Sequence, residues 1–122
     1  MEHLEQFEPP LIEQKCTPHE GAVPKLSSGE IERLISSLRG GWQIAYGHHL
    51  SRIYTFQDFE QALDFTVQVG ELAGEEGHYP HITVSFGKVE MALFTDAIDG
   101  VSKNDFILAS KISKLRREGR GL

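Results

Sequence analysis

Cysteine is nearly missing from this chain: Cys16 stands alone among 122 residues. That excludes an intrachain disulfide and implies a reducing compartment. No apolar run approaches the roughly 20 residues that a membrane span needs, and the opening Met1-Glu2-His3-Leu4-Glu5 is acidic rather than signal-like. A cytoplasmic protein without a membrane partner is expected. Basic residues are also scarce, 12 against 18 acidic ones for a formal charge of −6, which works against broad binding to nucleic acid. A chain of this length fits one domain of the usual ~100–150 residues, whose small core leaves apolar atoms near the surface and favours self-association.

The charge is unevenly spread. Glu2, Glu5, Glu8 and Glu13 lie in the N-terminal stretch, whereas Lys111, Lys114, Arg116, Arg117 and Arg120 gather at the other end. A basic end of this kind reads as a solvated helix terminus that complements the helix dipole, or as a docking patch for an acidic partner.

Residues 1–25 lack a sustained period and contain Pro9-Pro10, Pro18 and Pro24, so they read as an extended or partly disordered arm before a domain over 26–117 and a short tail over 118–122. Ser27 stands three residues ahead of Glu30, the spacing of a capping box, and Ile31, Leu34, Ile35 and Leu38 follow at helical intervals up to Gly40-Gly41. Residues 42–46 and 50–54 are short β-rich runs on either side of Gly47-His48-His49, a hairpin. Thr55 and Asp58 open a second helix with a stripe of Phe59, Leu63, Thr66, Val67 and Gly70, ending at Gly74 to Gly77 before Tyr79-Pro80. Ile82, Val84 and Phe86 then alternate with polar neighbours, Gly87-Lys88 turns the chain, and Val89, Met91 and Leu93 alternate again. Ser102 begins a third helix with Phe106, Leu108, Ala109, Ile112 and Leu115 on its apolar side. The order α-β-β-α-β-β-α predicts an α+β fold, an antiparallel four-stranded sheet with helices on one face. Its two edges favour pairing with a second copy, so a homodimer or homotetramer is expected.

Six histidines raise the question of a metal, and Cys16-Thr17-Pro18-His19 has ligand types at short spacing. One cysteine and one histidine do not close a structural zinc site, and no second pair stands at a recognisable distance, so no metal is expected. His48-His49 reads as an exposed turn.

Glu75-Glu76-Gly77-His78-Tyr79-Pro80, the hairpin after it, Thr95-Asp96 and Asn104-Asp105-Phe106-Ile107-Leu108-Ala109 together resemble the pterin carbinolamine dehydratase family. Its pattern is Gly-His-His-Pro, a two-stranded segment ending in Thr-His, and Asn-Asp-Phe-Ile-Leu-Ala opening the last helix. His78, Pro80, Thr95 and Asp105 match at ungapped spacing, and Cys16, Pro18, Gly21, Val23 and Pro24 are similar to the arm of bacterial members, so the likeness covers about residues 16–115.

The resemblance implies removal of water from a hydroxylated tetrahydropterin, with three histidines and a carboxylate as acids and bases near neutral pH. Of the three histidines this chain keeps His78. Tyr79 replaces the second, Asp96 the third, Gly74 the acid four residues before the first, and Phe86 a tyrosine or tryptophan. A tyrosine, with its ordinary pKa of about 10, is a poor base at neutral pH, and an aspartate at about 3.9 is a weak base and a rarer acid. The positions His78, Tyr79, Pro80, Asp96 and Asp105 are therefore expected to form a relic pocket without normal activity, and no cofactor is expected. Members lacking these histidines include the dehydratase-like assembly factors for ribulose bisphosphate carboxylase, found with carboxysome genes and in chloroplasts, which implies carboxylase subunits as partners. An active, slower dehydratase and a dimerisation partner of a transcription factor remain as alternatives.

Overall fold

The structure, a computed structural model, describes residues 8–17 and 23–118, the side chains of 117 and 118 excepted. Helix α1 (Ser28–Ser37) starts at the capping box expected from its sequence: Ser27 accepts from the Glu30 amide, and the Glu30 carboxylate accepts from the Ser27 amide. It ends before the glycine pair, because Leu38 already turns to an extended conformation. Strands β1 (Gln43–Ala45) and β2 (His49–Thr55) form the first hairpin, and β3 (His81–Ser85) and β4 (Lys88–Leu93) the second. Between them runs α2 (Phe59–Glu76), capped by the Asp58 side chain and closed by Gly77 at φ 71°, and α3 (Lys103–Glu118) follows β4. The left-handed backbone at Gly77 is where glycine is needed.

All strand pairs are antiparallel in the order β1-β2-β4-β3, so the two hairpins join through β2 and β4, with Leu50 opposite Leu93 and Tyr54 opposite Val89. Leu50 and Tyr54 of β2 and Val89, Met91 and Leu93 of β4 turn to the helices and are buried. They meet Phe65 and Val69 of α2, Phe106, Leu108 and Ile112 of α3, Leu34 of α1 and Trp42 in one core. The alternation puts Ile53 on the open face, 52 % exposed. Strands β1 and β3 are the edges.

Two expectations are corrected. On α2 the buried residues are Ala62, Phe65, Val69, Ala73 and Glu76, while Phe59, Leu63 and Val67 of the expected stripe are exposed. The helix carries two apolar stripes, and period alone does not say which one faces the sheet. Phe86 does not share the face of Ile82 and Val84. It lies beyond β3 at the turn and is 75 % exposed.

Candidate functional site

Gly77 ends α2 and releases His78 toward the start of α3, and the Gly77 and His78 amides both donate to the Ala73 carbonyl. His78 is 2 % exposed and Asp105 is fully buried, with His78 Nε2 2.5 Å from Asp105 Oδ1. The carboxylate fixes the tautomer by accepting from Nε2–H. Its other oxygen, Oδ2, accepts from Thr95 Oγ1 and from the Ser102 amide, each at 2.9 Å, and the Thr95 and Ser102 hydroxyls share a bond of 2.8 Å. Asp105 thus caps the first turn of its own helix from inside and ties it to the ends of α2 and β4. Ser102 three residues before Asp105 has the spacing of a capping box, a local signal for this half of the network.

The other expected pocket positions are less buried than this pair. Tyr79 is 66 % exposed, Asp96 is exposed in a single 3-10 turn (Asp96–Ile98), and Pro80 is half-buried between His78 and β3. Gly74 lies on the exposed side of α2, where an added Cβ would meet nothing within 4 Å. The acid missing there is not excluded by packing.

Two residues that the sequence placed inside the motif segments without a role hold the N-terminal arm. Glu76 is buried and accepts from the Cys16 amide at 2.9 Å, from Lys111 at 2.5 Å and from Lys15 at 3.4 Å. Asn104 grips Thr17 with both ends of its amide, accepting from the Thr17 nitrogen and donating to its carbonyl, each at 2.9 Å. No periodicity marks either residue, because their partners in the arm lie 60 or more positions away. Cys16 is packed beneath this clasp. Burial first, and the adjoining Glu76 carboxylate second, push its thiol up to about 12, so it is not a nucleophile at neutral pH. His19 lies outside the described residues.

Burial raises the Glu76 pKa, but the Lys111 hydrogen bond, the Cys16 amide and the charges of Lys111 and Lys15 outweigh it and hold the group below its ordinary 4.5. A lowered folded-state pKa stabilises the fold above the unfolded-state value and loses that contribution as pH falls through the folded one. Glu76→Gln is therefore expected to destabilise the protein at neutral pH, with the gap to the unmodified chain closing below pH 4.5. Urea unfolding across the acid range measures this, and a gap that widens on acidification would contradict the clasp.

His48 and His49 are not a free turn. His48 Nε2 is 2.9 Å from Asp99 Oδ1, its ring lies 5.0 Å from that of Phe94, and His81 stacks on Phe94 at 4.7 Å. Burial and the neighbouring charges of His48 and His81 lower the His49 pKa. Among the described residues no three histidine, cysteine or acidic side chains are placed to hold a metal ion. The basic end is only partly solvated: Lys111 is the partner of Glu76, and Arg116 lies 4.8 Å over the Phe56 ring. The Arg117 and Arg120 side chains lie outside the described residues. Within those residues no helix is long and apolar enough to cross a membrane.

An antiparallel sheet of two hairpins backed by three helices, with a histidine from the end of α2 bound to an aspartate opening α3, defines the class: a pterin-dehydratase-like α+β domain. The family model described as pterin 4 alpha carbinolamine dehydratase matches residues 24–115, and the chain belongs to that family. A protein of Alkaliphilus metalliredigens named "Putative pterin-4-alpha-carbinolamine dehydratase" is 45% identical over 108 residues, covering 88% of this chain and 97% of its own. A Rubrobacter xylanophilus protein of the same name is 44% identical over 105 residues, covering 86% and 97%. Among solved structures, a transcriptional coactivator/pterin dehydratase from Brucella melitensis superposes with a TM-score of 0.70 at 27% identity, over 75% of this chain and 98% of that one.

Proposed function

We propose that this chain is a dehydratase-family protein without normal dehydratase activity that works by binding, and that the partner it helps to assemble is ribulose bisphosphate carboxylase. The observation behind the loss of catalysis is the site itself. His78 is buried against Asp105, and the two positions where the family brings further histidines hold exposed Tyr79 and Asp96. Dehydration needs an acid for the leaving hydroxyl and a base for a ring proton, both placed at one substrate. The carboxylase as partner rests on the likeness to assembly factors that lack the same histidines. Surfaces suited to protein contact support it: Phe59, Leu63 and Val67 on the outer side of α2, Ile53 on the open sheet face, and the edges β1 and β3, which also suit pairing with a second copy.

Co-expression with carboxylase subunits tests this reading. The yield of assembled carboxylase on native gels is expected to rise with this chain present and to stay up with His78→Ala, once that variant is shown to fold. No rise with the unmodified chain would refute the assembly role. The names of the Alkaliphilus and Rubrobacter relatives favour a second reading, dehydration of 4a-hydroxytetrahydropterin by this chain as well. The coactivator in the name of the Brucella protein favours a third, a dimerisation partner of a transcription factor.

A further inference from the structure

Away from His78 and Asp105, the segment of residues 8–14 runs beside α1 and α3 and encloses with them a groove of about 850 Å³. Sites for small organic ligands span about 300–1,000 Å³. The walls differ in character. Leu11, Leu34 and Leu38 give an apolar lining, whereas Arg33 and Arg39 are its cationic residues. No ion pair among the described residues uses either arginine, and Glu8, the acid beside them, is bound to Lys103 at 2.8 Å. Two cationic residues at one hollow, with Glu8 acting on Arg33 while bound to Lys103, stand out in a chain of net charge −6.

The hydroxyls of the groove have their protons committed. Ser37 donates to the Leu34 carbonyl and Ser110 to the Ile107 carbonyl, each at 2.7 Å, and Ser113 donates to the Arg39 carbonyl at 3.0 Å. Toward a ligand these oxygens accept, so the strong donors of the groove are the guanidiniums, whose planar forks fit carboxylate, sulfonate or phosphate oxygens. The outer wall is held in place: Gln14 donates to the Pro9 carbonyl, and residues 15–17 are clasped by Glu76 and Asn104.

We infer that this groove binds a small organic anion, an apolar ring system carrying one acidic group for Arg33 and Arg39 and an N–H or O–H donor for the serine oxygens. The site shares no residue with the His78 and Asp105 network, so it stands or falls independently of the assembly role.

The probe is 8-anilinonaphthalene-1-sulfonate, which combines an aromatic body, an anilino N–H and a sulfonate. The full chain is titrated with it, with Trp42 as an internal reporter. It is the single tryptophan, and its indole N–H donates at 2.9 Å to Ser113, a residue of the groove wall. One probe per chain is expected to bind, quenching Trp42 by energy transfer. The double variant R33Q/R39Q, altered at exposed positions and checked by circular dichroism, is expected to weaken binding roughly tenfold or more, because two charge-assisted bonds are lost. The uncharged analogue N-phenyl-1-naphthylamine should bind at least as weakly. Equal affinity of R33Q/R39Q and the unmodified chain, equal affinity for the uncharged analogue, loss of binding in L63S/V67S on α2, or no saturable binding would each overturn the assignment.

Discussion

Dehydration of 4a-hydroxytetrahydropterin by the purified chain is expected to run at least ~100-fold slower than by a family member with all three histidines, since each positioned acid or base contributes about 10²–10⁴-fold. The geometry gives the reason. The retained imidazole has Nε2 turned to Asp105 inside the protein, and neither Tyr79 nor Asp96 offers a second imidazole at the surface. Stopped-flow assay of the carbinolamine measures the rate directly, and a value within tenfold of the intact homologue would sink the binding-only reading. The double substitution Tyr79→His with Asp96→His is the constructive counterpart. Both positions are exposed, so the fold should accept it, and the rate should rise at least ~10-fold if missing acid–base groups limit the reaction. No rise would place the defect elsewhere, with the empty position at Gly74 the next to fill.

The second large effect is on stability. Asp105→Ala is expected to cost about 3 kcal/mol, because it leaves His78, the Thr95 hydroxyl and the Ser102 amide without their shared buried acceptor. Asp105→Asn keeps the shape and one acceptor oxygen and should cost about half as much. Urea midpoints at neutral pH distinguish the three proteins. A midpoint for Asp105→Ala equal to that of the unmodified chain would show that water replaces the carboxylate and that the pair is not structural. His78→Ala removes one partner of the three and should fall between, which also tells how much of any binding defect in that variant is lost stability.

The element order, the capping box of Ser27 and Glu30, a helix stop within Gly74 to Gly77 and the alternation over 81–85 and 88–93 were legible in the sequence, because each depends on residues within a few positions of one another. The family was legible for a related reason: His78, Pro80, Thr95 and Asp105 stand at the motif's spacing without a gap, and the match over residues 24–115 agrees. Tertiary structure decided what local pattern leaves open. It selected Phe65 and Val69 over Leu63 and Val67 as the buried side of α2, since both stripes have helical period and only the sheet's position separates them. It joined β2 to β4, brought His78 to Asp105 across 27 positions, and gave Glu76 and Asn104 a hold on Cys16 and Thr17. Such contacts are set by the closing of long loops around a shared core, and no interval in the sequence records which distant polar groups will face each other once water is excluded.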